Sequence, residues 1–154
     1  MIDVEVYLNL LLKQSIAAAY AANKFDPALF AAAPWCSPDI DIDTLDNFPA
    51  VTWNILADGE AANGPGLWYF VLNLNLFGNG MDQAKALMRV MHDIAEAWDA
   101  DTATTAINVD GDDVWLSGVD TDRDIPTRLP AAIIDGRMVV QYSGGYGIGV
   151  RSNA

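Results

Sequence analysis

Six aspartates crowd one stretch of the chain, Asp110, Asp112, Asp113, Asp120, Asp122 and Asp124, and four more, Asp39, Asp41, Asp43 and Asp46, crowd another. Grouped carboxylates are the oxygen donors that Ca2+ and Mg2+ prefer. Asp39, Asp41 and Asp43 carry the alternating spacing of a calcium loop. However, Thr44 stands where the sharp turn needs glycine, and Ala50 where a bidentate glutamate belongs. Asp120, Asp122 and Asp124 fail alike, with Ile125 and Ala131 at those places. A loose divalent-cation site on either group is the metal-binding alternative, and a solvated acidic loop is the simpler reading. Paired-carboxylate hydrolysis needs two acids set apart from the rest, and no pair stands out here.

The other chemistry-bearing residues are sparse. One histidine, His92, and one cysteine, Cys36, exclude a His/Cys metal cluster by count. His92 is expected on the surface of a helix, paired with Glu96 one turn on. Cys36, after Trp35 in a proline-rich stretch, is expected as a small buried apolar group. Gly78-Asn79-Gly80 between a strand and a helix resembles a dinucleotide-binding turn. Gln83 then occupies the place that needs a small residue, and no parallel βαβ unit follows. Gly145, Gly147 and Gly149 lie within a strand pattern, where no helix N-terminus can cradle phosphate. The sequence therefore predicts no catalytic residue, no metal, no cofactor and no enzyme. Of the five tryptophans, Trp53, Trp68 and Trp98 fit a core pattern, while Trp35 and Trp115 flank acidic stretches as candidate interface anchors.

With 154 residues, 52% of them hydrophobic and 19% charged, the chain can bury the core of one domain spanning 1-154, which excludes disorder. Its apolar runs are far shorter than the roughly 20 residues that span a bilayer, so no membrane partner is expected. Asp3 and Glu5 occupy the place where a signal peptide carries basic residues, so export is not expected. A single cysteine fits a reducing compartment. The formal charge of −13 argues against binding nucleic acid by phosphate neutralisation, which needs clustered cations.

Apolar residues recur at helical spacing from Val4 to Tyr20, predicting a helix from Asp3 to about Ala22. Val6, Leu10 and Ala17 lie off its main stripe, so this helix should touch a second surface besides its own core. Residues 23–49, with Pro27, Pro34, Pro38 and Pro49, read as a long loop holding at most a helical turn or two at Ala28 to Ala33. Strands are predicted at Val51 to Ala57 and Leu67 to Phe77, joined by a long hairpin tip from Asp58 to Gly66. The second strand places Trp68, Phe70, Leu72, Leu74 and Leu76 on a core face and Tyr69, Val71 and Phe77 on the other. A second helix should run from Asp82 to about Trp98. Thr104 to Val109 and Val114 to Val119 read as short strands about an Asp110-Gly111-Asp112 turn. A loop with Pro126 and Pro130 follows, then a last strand from Arg137 to Val150, whose odd face is left bare by Gly145, Gly147 and Gly149. The expected fold is α+β, an antiparallel sheet with helices packed on one face, in the order α-β-β-α-β-β.

That order and two passages resemble the tail terminator proteins of long-tailed bacteriophages, especially those infecting actinobacteria. The passages are VTWNILADGEAANGPGLWYFVLNLNLFGNGMDQAKALMRVMHDIAEAW, from Val51 to Trp98, and RMVVQYSGGYGIGVR, from Arg137 to Arg151. The resemblance implies a small structural virion subunit, assembled in the host cytoplasm, whose copies form a ring, usually a hexamer. Such a ring caps the head-proximal end of the tail tube, ends its polymerisation and offers a docking surface to the head. The implied partners are copies of itself, the major tail tube protein and a head-completion or connector protein, with DNA passing through unbound. A neck connector is the alternative role. The candidate contact residues are Val6, Leu10, Tyr69, Val71, Phe77, Trp115, Gly145, Gly147 and Gly149. The candidate channel acids are Asp110, Asp112, Asp113, Asp120, Asp122 and Asp124.

Overall fold

The computed structural model describes residues 4–38, 48–56, 67–134 and 136–153, without the side chains of 122–126. The acidic group Asp39, Asp41, Asp43 and Asp46 and the predicted hairpin tip lie outside the described residues. The first helix, α1 (Val4–Ala21), is built largely of leucine and alanine, both strong helix formers. It stops where Asn23 turns left-handed, with φ 57. There the Lys24 N–H donates to the Ala19 carbonyl (2.9 Å) and the Asn23 N–H to that of Tyr20 (3.1 Å), the pairing that satisfies the last carbonyls of a helix. A short strand, β1 (Trp35–Pro38), follows, then β2 (Ala50–Leu56) and β3 (Leu67–Asn79).

The second helix, α2 (Met81–Ala100), is a stripe of apolar residues on a polar cylinder, and it buries Ala84, Leu87, Met91, Ala95 and Trp98. Its start is tied twice by Gln83, which accepts from the Asn79 N–H (2.7 Å) and donates to the Leu29 carbonyl (2.6 Å). Gly78 lets it sit close to β3, since a Cβ there would stand 2.8 Å from the Ala84 Cα. A single 3-10 turn at Thr102–Thr105 leads to β4 (Ile107–Val109) and β5 (Asp112–Arg128). Between them Asp110 and Gly111 both have positive φ, 52 and 92, as a tight two-residue hairpin turn requires. The strands β6 (Ala132–Ile134) and β7 (Arg137–Ser152) complete the chain.

The α+β class holds. The sheet is mixed and strongly curled, in the order β1-β2-β3-β7-β5-β4, with β6 pairing to β7 off that path. Both helices bury against one face, where Trp53, Leu72, Leu76, Tyr146, Ile148 and Leu116 form a single core with Tyr7, Leu8, Leu12, Leu87 and Met91. Each of these large side chains contributes roughly 1.5–3 kcal/mol by leaving water.

Four features differ from the sequence reading. The sheet is not wholly antiparallel, because β1 runs parallel to β2. That strand arises inside the proline-rich stretch, where Cys36 pairs with Val51. The order becomes α-β-β-β-α-β, with further strands after it. The expected loop at Pro126 is instead the end of β5, whose aspartates hide its strand character because aspartate is depleted in strands. Register shifts between Asp120, Asp124 and Thr127 accommodate the proline, which cannot donate to the ladder. Finally, Thr105 belongs to the 3-10 turn. Its hydroxyl donates to the Thr102 carbonyl (2.6 Å) and accepts from the Leu116 N–H (2.9 Å), and its carbonyl accepts from the Tyr7 hydroxyl (2.9 Å).

Candidate functional site

The glycine-bearing strand β7 is central, flanked by β3 and β5, so its odd face is the middle of the sheet surface opposite the helices. Gly149 lies opposite Tyr69 and Gly118, Gly147 opposite Val71 and Asp120, and Gly145 opposite Asn73 and Asp124. The face is less bare than alternation suggests. A Cβ on Gly149 would strike the Ser117 hydroxyl and stand 3.2 Å from the Tyr69 ring. Neighbouring strands of the same chain thus cover Gly149, an aromatic lying across a glycine that has no side chain of its own. Gly145 is buried as well, and only Gly147 is half open. Further along, Asn75 Oδ1 accepts from Gln141 Nε2 and Ser143 Oγ, both at 3.0 Å, which makes this part of the surface polar and uncharged. Beside Gly147 a shallow groove of about 430 Å³ is lined by Tyr69, Ser117, Gly118 and Asp120.

Among the described residues the candidate acids do not all meet at one point. Asp110, Asp112 and Asp113 surround the β4–β5 turn, which is pinned by Asn108 to Gly111 N (3.1 Å) and Asp113 Oδ1 (3.3 Å) and by Asn153 Oδ1 to Asp113 N (2.9 Å). Asp120 lies seven residues further along β5, about 23 Å at strand rise. The backbones of Asp122 and Asp124 continue that strand, and their side chains lie outside the described residues. Among the described residues no three His, Cys, Asp or Glu side chains converge on a point that could hold a metal ion.

Among the described residues, large apolar side chains are exposed in three places. On α1 these are Val6 (44%) and Leu10 (37%), as their off-stripe positions predict, together with Tyr20, and on β3 it is Tyr69. In the third, β6 and the start of β7 form an arm on which Ile133 (77% exposed) lies directly opposite Met138 (59%), with Leu129 nearby. The sequence reading missed this arm, although the Asp135-Gly136 dipeptide between apolar residues is a short-hairpin signal. Phe77, expected on a contact face, is buried. It packs with Ala50 and Val139 under Trp35, Phe48 and Ile134, because the arm and the chain before β2 fold over that end of β3. Its ring centroid lies 6.3 Å from that of Phe48, over which the Arg137 guanidinium sits at 5.3 Å. Trp35 is consequently part of this small second cluster. Tyr69 remains exposed, whereas Val71 and Trp115 are half-buried.

His92 does pair with Glu96, Nε2 to Oε1 at 3.0 Å, and also joins α2 to β7 through Nδ1 and the Tyr146 hydroxyl, again at 3.0 Å. Burial, reinforced by the Glu96 charge, pushes the Tyr146 phenol up to about 12. Cys36 is buried as expected. Burial raises its thiol to about 11 against a small opposing pull from Lys13, so the sulfur is protonated near neutral pH and is a poor nucleophile.

No protein-family model matches this chain, and no curated protein matches its sequence. One solved structure, a chain without a descriptive name, aligns over 88% of this chain and 94% of its own length. Its sequence identity is 17% and its TM-score 0.31, so fold and function rest on the residues above.

Proposed function

We propose that this chain is a structural, non-enzymatic virion subunit that acts by self-association. Its copies close into a ring on the head-proximal end of a bacteriophage tail tube, where the ring ends tube growth and presents a surface to the head connector. The observation that carries this reading is that the chain exposes unlike apolar patches, Val6 with Leu10 on α1 and Ile133 paired with Met138 on the β6–β7 arm. A ring is made by a repeated contact between two different patches, whereas a twofold dimer uses one patch twice. The sequence resemblance supplies the tail-terminator role. With each copy at −13, a ring of such subunits surrounds its channel with a field that repels DNA phosphates and lets a genome pass without sticking.

The test is to add the protein to purified tail tubes and to polymerising tube subunits. Capping of one tube end and an arrest of growth are expected. Binding to isolated heads but not to tubes would move the protein to the neck, and binding to neither would reject the role.

A further inference from the structure

We propose that the cavity beside β1 binds an extended acidic segment of a partner protein, which adds to the open edge of the sheet and sets a carboxylate on Lys13. β1 ends the sheet, with β2 on one side and, among the described residues, no strand on the other. The Trp35 N–H donates to the Pro49 carbonyl (3.1 Å), so Trp35 turns its backbone groups toward β2. Backbone groups alternate in direction along a strand, and the N–H and C=O of Cys36 therefore point outward. Among the described residues neither has a hydrogen-bond partner. Pro34 and Pro38 lack an N–H, so Cys36 carries the one outward backbone donor on this edge.

Beside this edge lies a cavity of about 640 Å³, bounded by β1, by α1 and by the chain around Leu29 and Phe48. Ligand sites commonly hold about 300–1,000 Å³. Ile16, Leu29, Trp35 and Phe48 give it apolar walls, which accept the alternate side chains of an added strand. Its polar groups are few. Gln83 is already occupied, since its amide accepts from the Asn79 N–H and donates to the Leu29 carbonyl. The Cys36 thiol, protonated near neutral pH, sets no charge against an anion. Lys13 is the one charged side chain on the cavity wall, and it lies near enough to Cys36 to pull on its thiol. The only ion pair among the described residues joins His92 to Glu96, which leaves Lys13 without a carboxylate. One uncompensated cation thus stands beside one outward backbone donor, and an acidic segment in extended form satisfies both. The whole chain carries −13, yet at about 0.15 M salt the Debye length is about 8 Å, which screens that repulsion at a distance while sparing the contact at Lys13.

Cys36 is the only cysteine, so full-length protein labelled with 15N-cysteine shows one backbone amide signal, at the edge itself. The probes are two capped hexapeptides of leucine, valine and aspartate, one with the aspartates at alternate positions and one with them adjacent, and the lysine counterpart of each. An aspartate peptide should move the Cys36 signal downfield to saturation, as a new hydrogen bond does, while the lysine peptides leave it in place. Lys13→Glu, at an exposed position of α1, should weaken the aspartate peptide by about tenfold. Thermal melts check that the variant folds, and Lys13→Gln supplies the readout where it melts early. Isovalerate, a small branched acid, forms the second arm. Saturation by isovalerate as tight as by the peptide would assign the cavity to free acids and overturn strand addition. Aspartate and lysine peptides that bind alike, a folded Lys13 variant that binds like the wild type, or a Cys36 signal that no aspartate peptide moves at about 10 mM would each overturn the proposal. All of these outcomes leave the ring reading intact, because ring formation and the arrest of tube growth are measured separately.

Discussion

Gly78→Ala puts the packing of α2 on β3 to a direct test. A methyl group at Gly78 would stand 2.5 Å from the Ala84 nitrogen and 2.8 Å from its Cα, and these are backbone atoms that no rotamer change can move. The first turn of α2 must lift away, and with it the placement of Leu87 and Met91, both buried in the main core. Overpacking of this kind costs about 1–3 kcal/mol. In a domain of this size each kcal/mol lowers Tm by about 2–4 °C, so a fall of about 2–12 °C is expected. Gly118→Ala is the internal control, because its Cβ would meet nothing within 4 Å and its φ is not positive, so the change should stay within about 1 kcal/mol. Circular dichroism melts of both variants beside the wild type decide the matter. A Gly78→Ala protein that melts with the wild type, or a Gly118→Ala protein that falls as far, would refute the close approach of α2 to β3.

Two further predictions concern buried polar groups. Thr105→Val removes the hydroxyl that accepts from the buried Leu116 N–H and donates to the Thr102 carbonyl, so urea unfolding should show a loss of about 1–3 kcal/mol with unchanged slope. An unchanged midpoint would mean the bond contributes nothing. Burial raises the Tyr7 and Tyr146 phenols from 10.0 to about 12, so the unfolded chain loses these protons first. Their contribution is intact below pH 10 and is lost between pH 10 and 12, by about 3 kcal/mol for each phenol. Urea midpoints should fall across that window, and Tyr7→Phe with Tyr146→Phe should flatten the fall. A double variant as alkali-sensitive as the wild type would contradict the assignment.

How far the sequence can be read depends on which residues carry the pattern. The stripe of Ala84, Leu87, Met91, Ala95 and Trp98 announced α2, and the alternation of Leu72, Leu74 and Leu76 announced β3, because each element buries one face and the burial period is its own signature. The exposed pair Val6 and Leu10 was legible for the converse reason, as apolar residues off the stripe. β5 was not legible beyond Val119. Its continuation is rich in aspartate and includes a proline, and its backbone pairs with Gly147, Gly145, Ser143 and Tyr142 of β7, a tertiary fact that no local pattern announces. β1 was hidden because four residues between prolines carry no period, and its parallel pairing to β2 is a tertiary fact. The same limit concealed the arm. Ile133 and Met138 become one surface only when β6 turns back on β7, and Phe77 becomes buried only when that fold covers it.

Self-association into a closed ring carries the proposed role, and native mass spectrometry over rising protein concentration reads it most directly. The predicted result is a single closed species of fixed copy number with no larger members of the series. A chain that remains monomeric at every concentration and on tube ends, or that stops at a dimer, would contradict it.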